Sequence, residues 1–132
     1  MIGLDTNILL RLILKDDAKQ HARVLNLLKK TLSAGRPGFI NLVVLMEFAW
    51  TLRRALKQSN ESVMTIVEQL LGMNNIVVER GEIVARALWV SLDKRIDLPD
   101  ALISCLNEAE GCSETLTFDV DFARSGAAIL VR

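Results

Sequence analysis

The sequence predicts an α/β fold: a mostly parallel five-stranded sheet with helices on both faces, in one domain over residues 1–132. Three observations predict it. Short apolar runs alternate with longer stretches of helical periodicity. Near each end of the chain such a run stops at an acid, in Ile2-Gly3-Leu4-Asp5 and in Leu116-Thr117-Phe118-Asp119. The apolar fraction is 51%, above the usual globular range, which fits a sheet buried on both faces or a sizeable partner interface.

Ile2 to Leu4 reads as the first strand, with Asp5 at its carboxyl end, where open α/β sheets bind ligands. Ile8, Leu9, Leu12 and Ile13 recur at helical spacing and mark the first helix. Asp16 or Asp17 caps a second, Ala18 to about Ser33, ending at Gly35, with Ala22, Leu25, Leu28 and Leu32 on its apolar face. The lone His21 is expected to face solvent on its first turn. Gly38-Phe39-Ile40 is a brief strand. Asn41 then caps a helix running to Leu56 or Lys57, apolar nearly all round from Leu42 to Trp50 and so read as deeply buried. Asn60 caps the next helix, Glu61 to Leu71, with Gly72 at its end. Ile76-Val77-Val78 is the third strand, and Glu82 to about Leu92 a further helix. Asp93-Lys94-Arg95-Ile96-Asp97-Leu98 reads as a charged loop. Pro99, favoured at a first helical position, opens a helix from Asp100 to Ala109, closed by Gly111. Leu116–Phe118 and Ala128–Val131 are the fourth and fifth strands.

Formal net charge is zero, so general electrostatic coating of nucleic acid is not supported, although a local basic patch remains open. Asp5 and Arg11 interrupt the first apolar run, which therefore does not read as a secretory signal. The longest apolar stretch, Phe39 to Trp50, is too short to span a bilayer and contains Glu47. A soluble, cytoplasmic protein without a membrane partner is expected. Cys105 and Cys112 do not make a disulfide framework, and Cys105 reads as a small core residue.

In such a sheet Asp5 and Asp119 lie at the same edge, and Glu47 and Asp100 come from helices that begin there. Four carboxylates from four segments are expected to converge. Glu47 is the single charge in its apolar stretch. A structural salt bridge is one reading of it; a metal ligand or catalytic carboxylate fits the setting better. Asp100 falls in a first helical turn, where the helix dipole alone would account for an acid. Clustered carboxylates repel, and need a cation or protons. Oxygen-only ligands suit Mg²⁺ or Mn²⁺ rather than zinc. Such a metal polarises a phosphoryl oxygen, generates hydroxide and orients in-line attack. Metal-free RNA cleavage often uses paired histidines, which one histidine cannot supply.

The segments Leu4-Asp5-Thr6-Asn7-Ile8-Leu9, Met46-Glu47-Phe48, Leu98-Pro99-Asp100-Ala101-Leu102-Ile103 and Leu116-Thr117-Phe118-Asp119-Val120-Asp121-Phe122 closely resemble PIN-domain ribonucleases. They look most like the VapC-type toxins of toxin–antitoxin pairs. Each motif alone is weak; all four in order are specific. The resemblance implies a PIN-like fold and a Mg²⁺- or Mn²⁺-dependent endoribonuclease, usually homodimeric, acting on RNA and inhibited by a cognate antitoxin. By position it implies Asp5 as the central metal ligand, Glu47 and Asp100 holding metal or its waters, and Asp119 completing the site. Asp121 is an auxiliary acid or a solvated turn residue. Thr6, Asn7 and Thr117 are candidates to orient the carboxylates, although Thr117 also reads as a plain strand residue.

Asn7 and Arg11 are four apart on one helical face, and Glu47 and Arg54 nearly align seven apart. Arg11 and Arg54 are candidates to meet phosphate, against a default of solvated surface arginines. With no Tyr, and Trp50 read as buried, no stacking platform for bases is evident. Asp119-Val120-Asp121 also suggests a haloacid-dehalogenase-like phosphatase, but only eleven residues remain after Asp121. A receiver domain would need a Lys near the last strand, where none stands. The strongest non-enzymatic rival is an inactive PIN-like protein-interaction module, which the neutral charge and apolar excess also fit.

Overall fold

The computed structural model describes residues 1–33 and 35–132, the side chains of residues 32 and 33 apart. The chain runs β1 (Ile2–Gly3), α1 (Thr6–Leu14), α2 (Ala18–Ser33), β2 (Gly38–Ile40), α3 (Leu42–Trp50), a π-helical turn (Thr51–Ala55) and α4 (Asn60–Leu71). It continues through β3 (Ile76–Val78), α5 (Gly81–Lys94), α6 (Leu98–Ala109), β4 (Leu116–Thr117), α7 (Val120–Arg124) and β5 (Ile129–Leu130).

All strand pairing is parallel, as the alternation of strands and helices requires. The strands form two sheets, however, and not one of five: β1-β2-β3 and, separately, β4-β5. β1 and β4 are two residues each. So short a strand has few N–H and C=O groups, and each spends them on one neighbour. At the centre of the larger sheet Gly38 leaves room for a side chain only if its neighbours shift. A Cβ there would lie 2.7 Å from Leu4 Cδ1 and 3.1 Å from Ile76 Cδ1.

Leu9, Ile40, Leu45, Phe48, Leu52 and Leu102 are among the side chains sealed in the core. α1 packs on α2 and α3, and α5 packs on α4 and α6. Cys105 is buried among them, as its apolar setting predicts, and Cys112 is exposed. The Leu32 assignment lies outside the described side chains. Among the described residues no helix is long and apolar enough to cross a membrane.

Four local expectations are corrected. The first concerns α3, which is not buried all round. Leu45, Phe48 and Ala49 face the core, whereas Val43 is 76% and Trp50 57% exposed, with Glu47 exposed between them. An unbroken apolar run carries no periodicity, so its sequence cannot say which face turns outward. The second concerns α4, whose cap is Ser59, accepting from Ser62 N, and not Asn60. Asn60 Nδ2 instead donates to Ser91 Oγ (3.0 Å) and to the Ile96 carbonyl (3.2 Å), and Asn60 Oδ1 accepts from Leu98 N (3.3 Å). The third is His21, which is half-buried and donates from Nδ1 to the Arg11 carbonyl at 2.8 Å, tying α2 to α1. The fourth is the charged tract, which is a loop only at Arg95, Ile96 and Asp97: α5 runs to Lys94, and α6 begins at Leu98.

Candidate functional site

Each acid is delivered by the end or face of an element. Asp5 follows β1 in extended conformation and is the N-cap residue of α1, yet its side chain makes no capping bond. Its carboxylate is exposed. Glu47 projects from the outer face of α3. Asp100 lies in the first turn of α6, half-buried. Asp119 lies two residues beyond β4 and caps α7, a short helix that the sequence did not announce. Its Oδ1 accepts from Phe122 N at 3.0 Å, and its own N–H donates to Thr117 Oγ1 at 3.0 Å. Thr117 therefore steadies the Asp119 turn in addition to being a strand residue. Asp121 is exposed in the first turn of α7.

The structure brings part of this set together. A cleft of about 540 Å³ is lined by Asp97, Asp100, Asp119 and Asp121, and by Arg53, Arg54, Lys94, Arg95 and Arg124. Burial raises the Asp100 carboxyl above its ordinary range; the Asp119 and Asp97 charges raise it further, and Arg54 pulls it back. These are the signs of a half-buried acid that needs a counter-charge. Asp5 and Glu47 do not line this cleft. The split of the sheet explains part of this, because β1 and β4 are not hydrogen-bonded neighbours.

Among the described residues, no three His, Cys, Asp or Glu side chains form a group that could hold a metal ion by itself. The donor chemistry nevertheless fits a hard cation: every candidate offers carboxylate oxygen. Mg²⁺ ordinarily keeps several waters and takes one or two carboxylates together with substrate phosphates, so Asp100 and Asp119 suit it without a closed cage.

Of the candidate phosphate contacts, Arg11 is engaged with Asp16 at 2.7 Å, and this ion pair holds the Asp16 carboxyl below its ordinary range. Arg11 and Asn7 share a second cleft with Ile8, Gln20, Arg23 and Val24. Thr6 is buried beside Asp5, and Asn7 is exposed. Arg54 is exposed and reaches the Asp100 cleft. The π-helical turn helps explain this: Leu56 N donates to the Thr51 carbonyl at 3.0 Å, a wider turn that brings both Arg53 and Arg54 to the cleft. Arg53 Nε donates to Asp97 Oδ1 at 3.3 Å.

Sequence reading missed Arg53, Lys94, Arg95, Asp97 and Arg124 as cleft residues. The available signal was proximity: Lys94, Arg95 and Asp97 immediately precede Asp100, and Arg124 follows Asp119 by five. Compared with known protein families, the chain matches the PIN domain over residues 2–127. No curated protein matches the chain.

Proposed function

The chain belongs to the PIN-domain family, and on that premise we propose that it is a cytoplasmic, metal-dependent endoribonuclease, the VapC-like toxin of a toxin–antitoxin pair. The PIN domain is generally a nuclease fold, and its members commonly use divalent ions such as Mg²⁺ or Mn²⁺. The observation that carries the proposal is the cleft in which Asp100 and Asp119 meet beside basic side chains.

In this reading one PIN-like domain covers residues 1–132. Asp5 is the central metal ligand, Glu47 and Asp100 hold metal or its waters, and Asp119 completes the set. Bound Mg²⁺ or Mn²⁺ supplies polarisation of the phosphoryl oxygen and activation of the attacking water. Asp5 has no capping bond, which leaves its carboxylate available. Asp119 commits one oxygen to the Phe122 amide, which orients it and leaves the second for a cation. Asp121 is an auxiliary acid, and Thr6, Asn7 and Thr117 position the carboxylates. Arg54 is better placed than Arg11 to meet RNA phosphate, since Arg11 is paired with Asp16.

The test is cleavage of RNA by purified, antitoxin-free protein. Mn²⁺ should support cleavage, EDTA should abolish it, and Asp5→Asn should lose nearly all of it. Equal cleavage with Mn²⁺ and with EDTA would sink the mechanism. The outward apolar residues Leu116, Phe118, Val120 and Ile129 support association as a homodimer and with an antitoxin. Phe118 alone is 80% exposed. The same residues favour the second reading, an inactive interaction module. Titration with Mn²⁺ separates the two: the enzyme's thermal stability rises with metal and the Asp5→Asn response is far smaller, whereas the module shows no acid-dependent response.

A further inference from the structure

The cleft around Asp100 carries charge of both signs, although the chain as a whole is neutral. Arg53 is committed to Asp97, and Arg54 acts on Asp100. The other three cations, Lys94, Arg95 and Arg124, make no ion pair among the described residues. They reach the cleft from two separate elements. Lys94 is the last residue of α5 and Arg95 follows it, while Arg124 is the last residue of α7.

A helix dipole accounts for basic residues at a helix C-terminus. It does not account for two helices ending on one cleft, with their cations left unpaired beside four carboxylates. Four acids alone would repel a polyanion from the place where it must bind. The neutral surface elsewhere offers no compensating long-range attraction. Uncommitted Lys and Arg side chains are the groups that neutralise backbone phosphates, and each phosphate so neutralised releases counterions.

Resting on the nuclease reading above, we propose that Lys94, Arg95 and Arg124 form a phosphate-binding wall, which holds the RNA backbone flanking the scissile bond against the carboxylates. They are positioning residues for a single-stranded RNA chain. Arg54, on the π-helical turn, adjoins the acids; these three extend the basic surface to α5 and α7.

The experiment compares wild type with the Lys94→Gln/Arg95→Gln/Arg124→Gln variant. Binding of a mixed-sequence fluorescent single-stranded RNA is measured by anisotropy in EDTA over a series of salt concentrations. Cleavage of the same RNA is measured separately in Mn²⁺. The variant should bind about tenfold more weakly, with a log–log salt slope shallower by roughly 2, since each single-strand phosphate that is no longer neutralised takes about 0.7 from the slope. In cleavage, KM should rise more than kcat falls. Arg124→Gln, at an exposed side chain, should flatten the slope by about one third as much, which keeps the test decisive if the triple variant folds poorly. Replacing the three by the other basic residue of the Lys/Arg pair should restore the slope. An unchanged slope in a folded variant, with wild type cleaving RNA in Mn²⁺, would overturn this wall and leave the nuclease reading standing. Wild type that neither binds nor cleaves RNA would overturn both.

Discussion

Asn60 holds the start of α6 in place, and with it Asp100. Its side chain spans from α4 to the end of α5 and the first residue of α6, through Ser91 Oγ, the Ile96 carbonyl and Leu98 N. Asn60→Ala removes these three bonds, together with a weaker one from Nδ2 to Met64 Sδ at 3.5 Å. Ser91 Oγ still donates to the Ile96 carbonyl, so that acceptor is not orphaned. The Leu98 N–H is orphaned, in a residue only 1% exposed. Leaving a buried donor unsatisfied costs about 1–3 kcal/mol, and removing each of the other two bonds costs about 1 kcal/mol or less. The expected total is about 3 kcal/mol. With a urea m-value of about 2 kcal/mol/M, the unfolding midpoint should fall by roughly 1.5 M. Ser59→Ala serves as the comparison, since it removes only the α4 cap and should cost about 1 kcal/mol. Urea titration followed by circular dichroism measures both. At a temperature where Asn60→Ala is fully folded, it should also cleave RNA more slowly than Ser59→Ala, because the first turn of α6 is released. A cost below about 1 kcal/mol for Asn60→Ala, or a larger loss for Ser59→Ala, would refute the reasoning and return the cap to Asn60.

Three further outcomes are expected. Burial and the neighbouring acids raise Asp100 above its ordinary 3.8 in the folded chain. A raised folded pKa contributes stability at low pH that is lost as pH rises through it. In EDTA, Asp100→Asn should therefore gain stability over wild type as pH rises from below 3.8; a gap that stays flat or shrinks in thermal melts contradicts this. On α3, Phe48→Ala should cost about 3–5 kcal/mol, whereas Trp50→Ala, on the exposed face, should stay within about 0.5 kcal/mol; equal costs would mean that Trp50 is covered. Arg95 holds a left-handed backbone with φ 55°, which a side chain adopts at a cost and glycine does not. Arg95→Gly should melt no lower than wild type yet bind RNA more weakly, and a marked drop in melting temperature would make Arg95 a scaffold residue.

The order of the strands and of the longer helices was legible in the sequence because each of those elements states itself locally; the π-helical turn and α7 were not. Period-3.6 stripes mark α1 and α4, acids and amides mark caps at Asp17 and Asn41, and Pro99 announces α6. The resemblance of the four acidic segments to PIN domains was legible for the same reason: each is a short run of contiguous residues. Tertiary structure decided whatever depends on a distant partner. Whether two-residue β1 and β4 pair with each other is set by what lies beside them, and they end in separate sheets. The uniform apolar run of α3 holds no record of which face meets solvent, so the exposure of Glu47 and Trp50 emerges only when the helix docks. Asn60 looks like a cap in isolation and becomes a clasp once the end of α5 and the start of α6 arrive. Lys94 and Arg95 read as part of a charged loop, and nothing in the sequence singles out Arg124, until folding brings all three to one cleft with Asp100 and Asp119. Local propensity is written along the chain; charge and burial are properties of neighbours far apart in sequence, and only the packed fold supplies those.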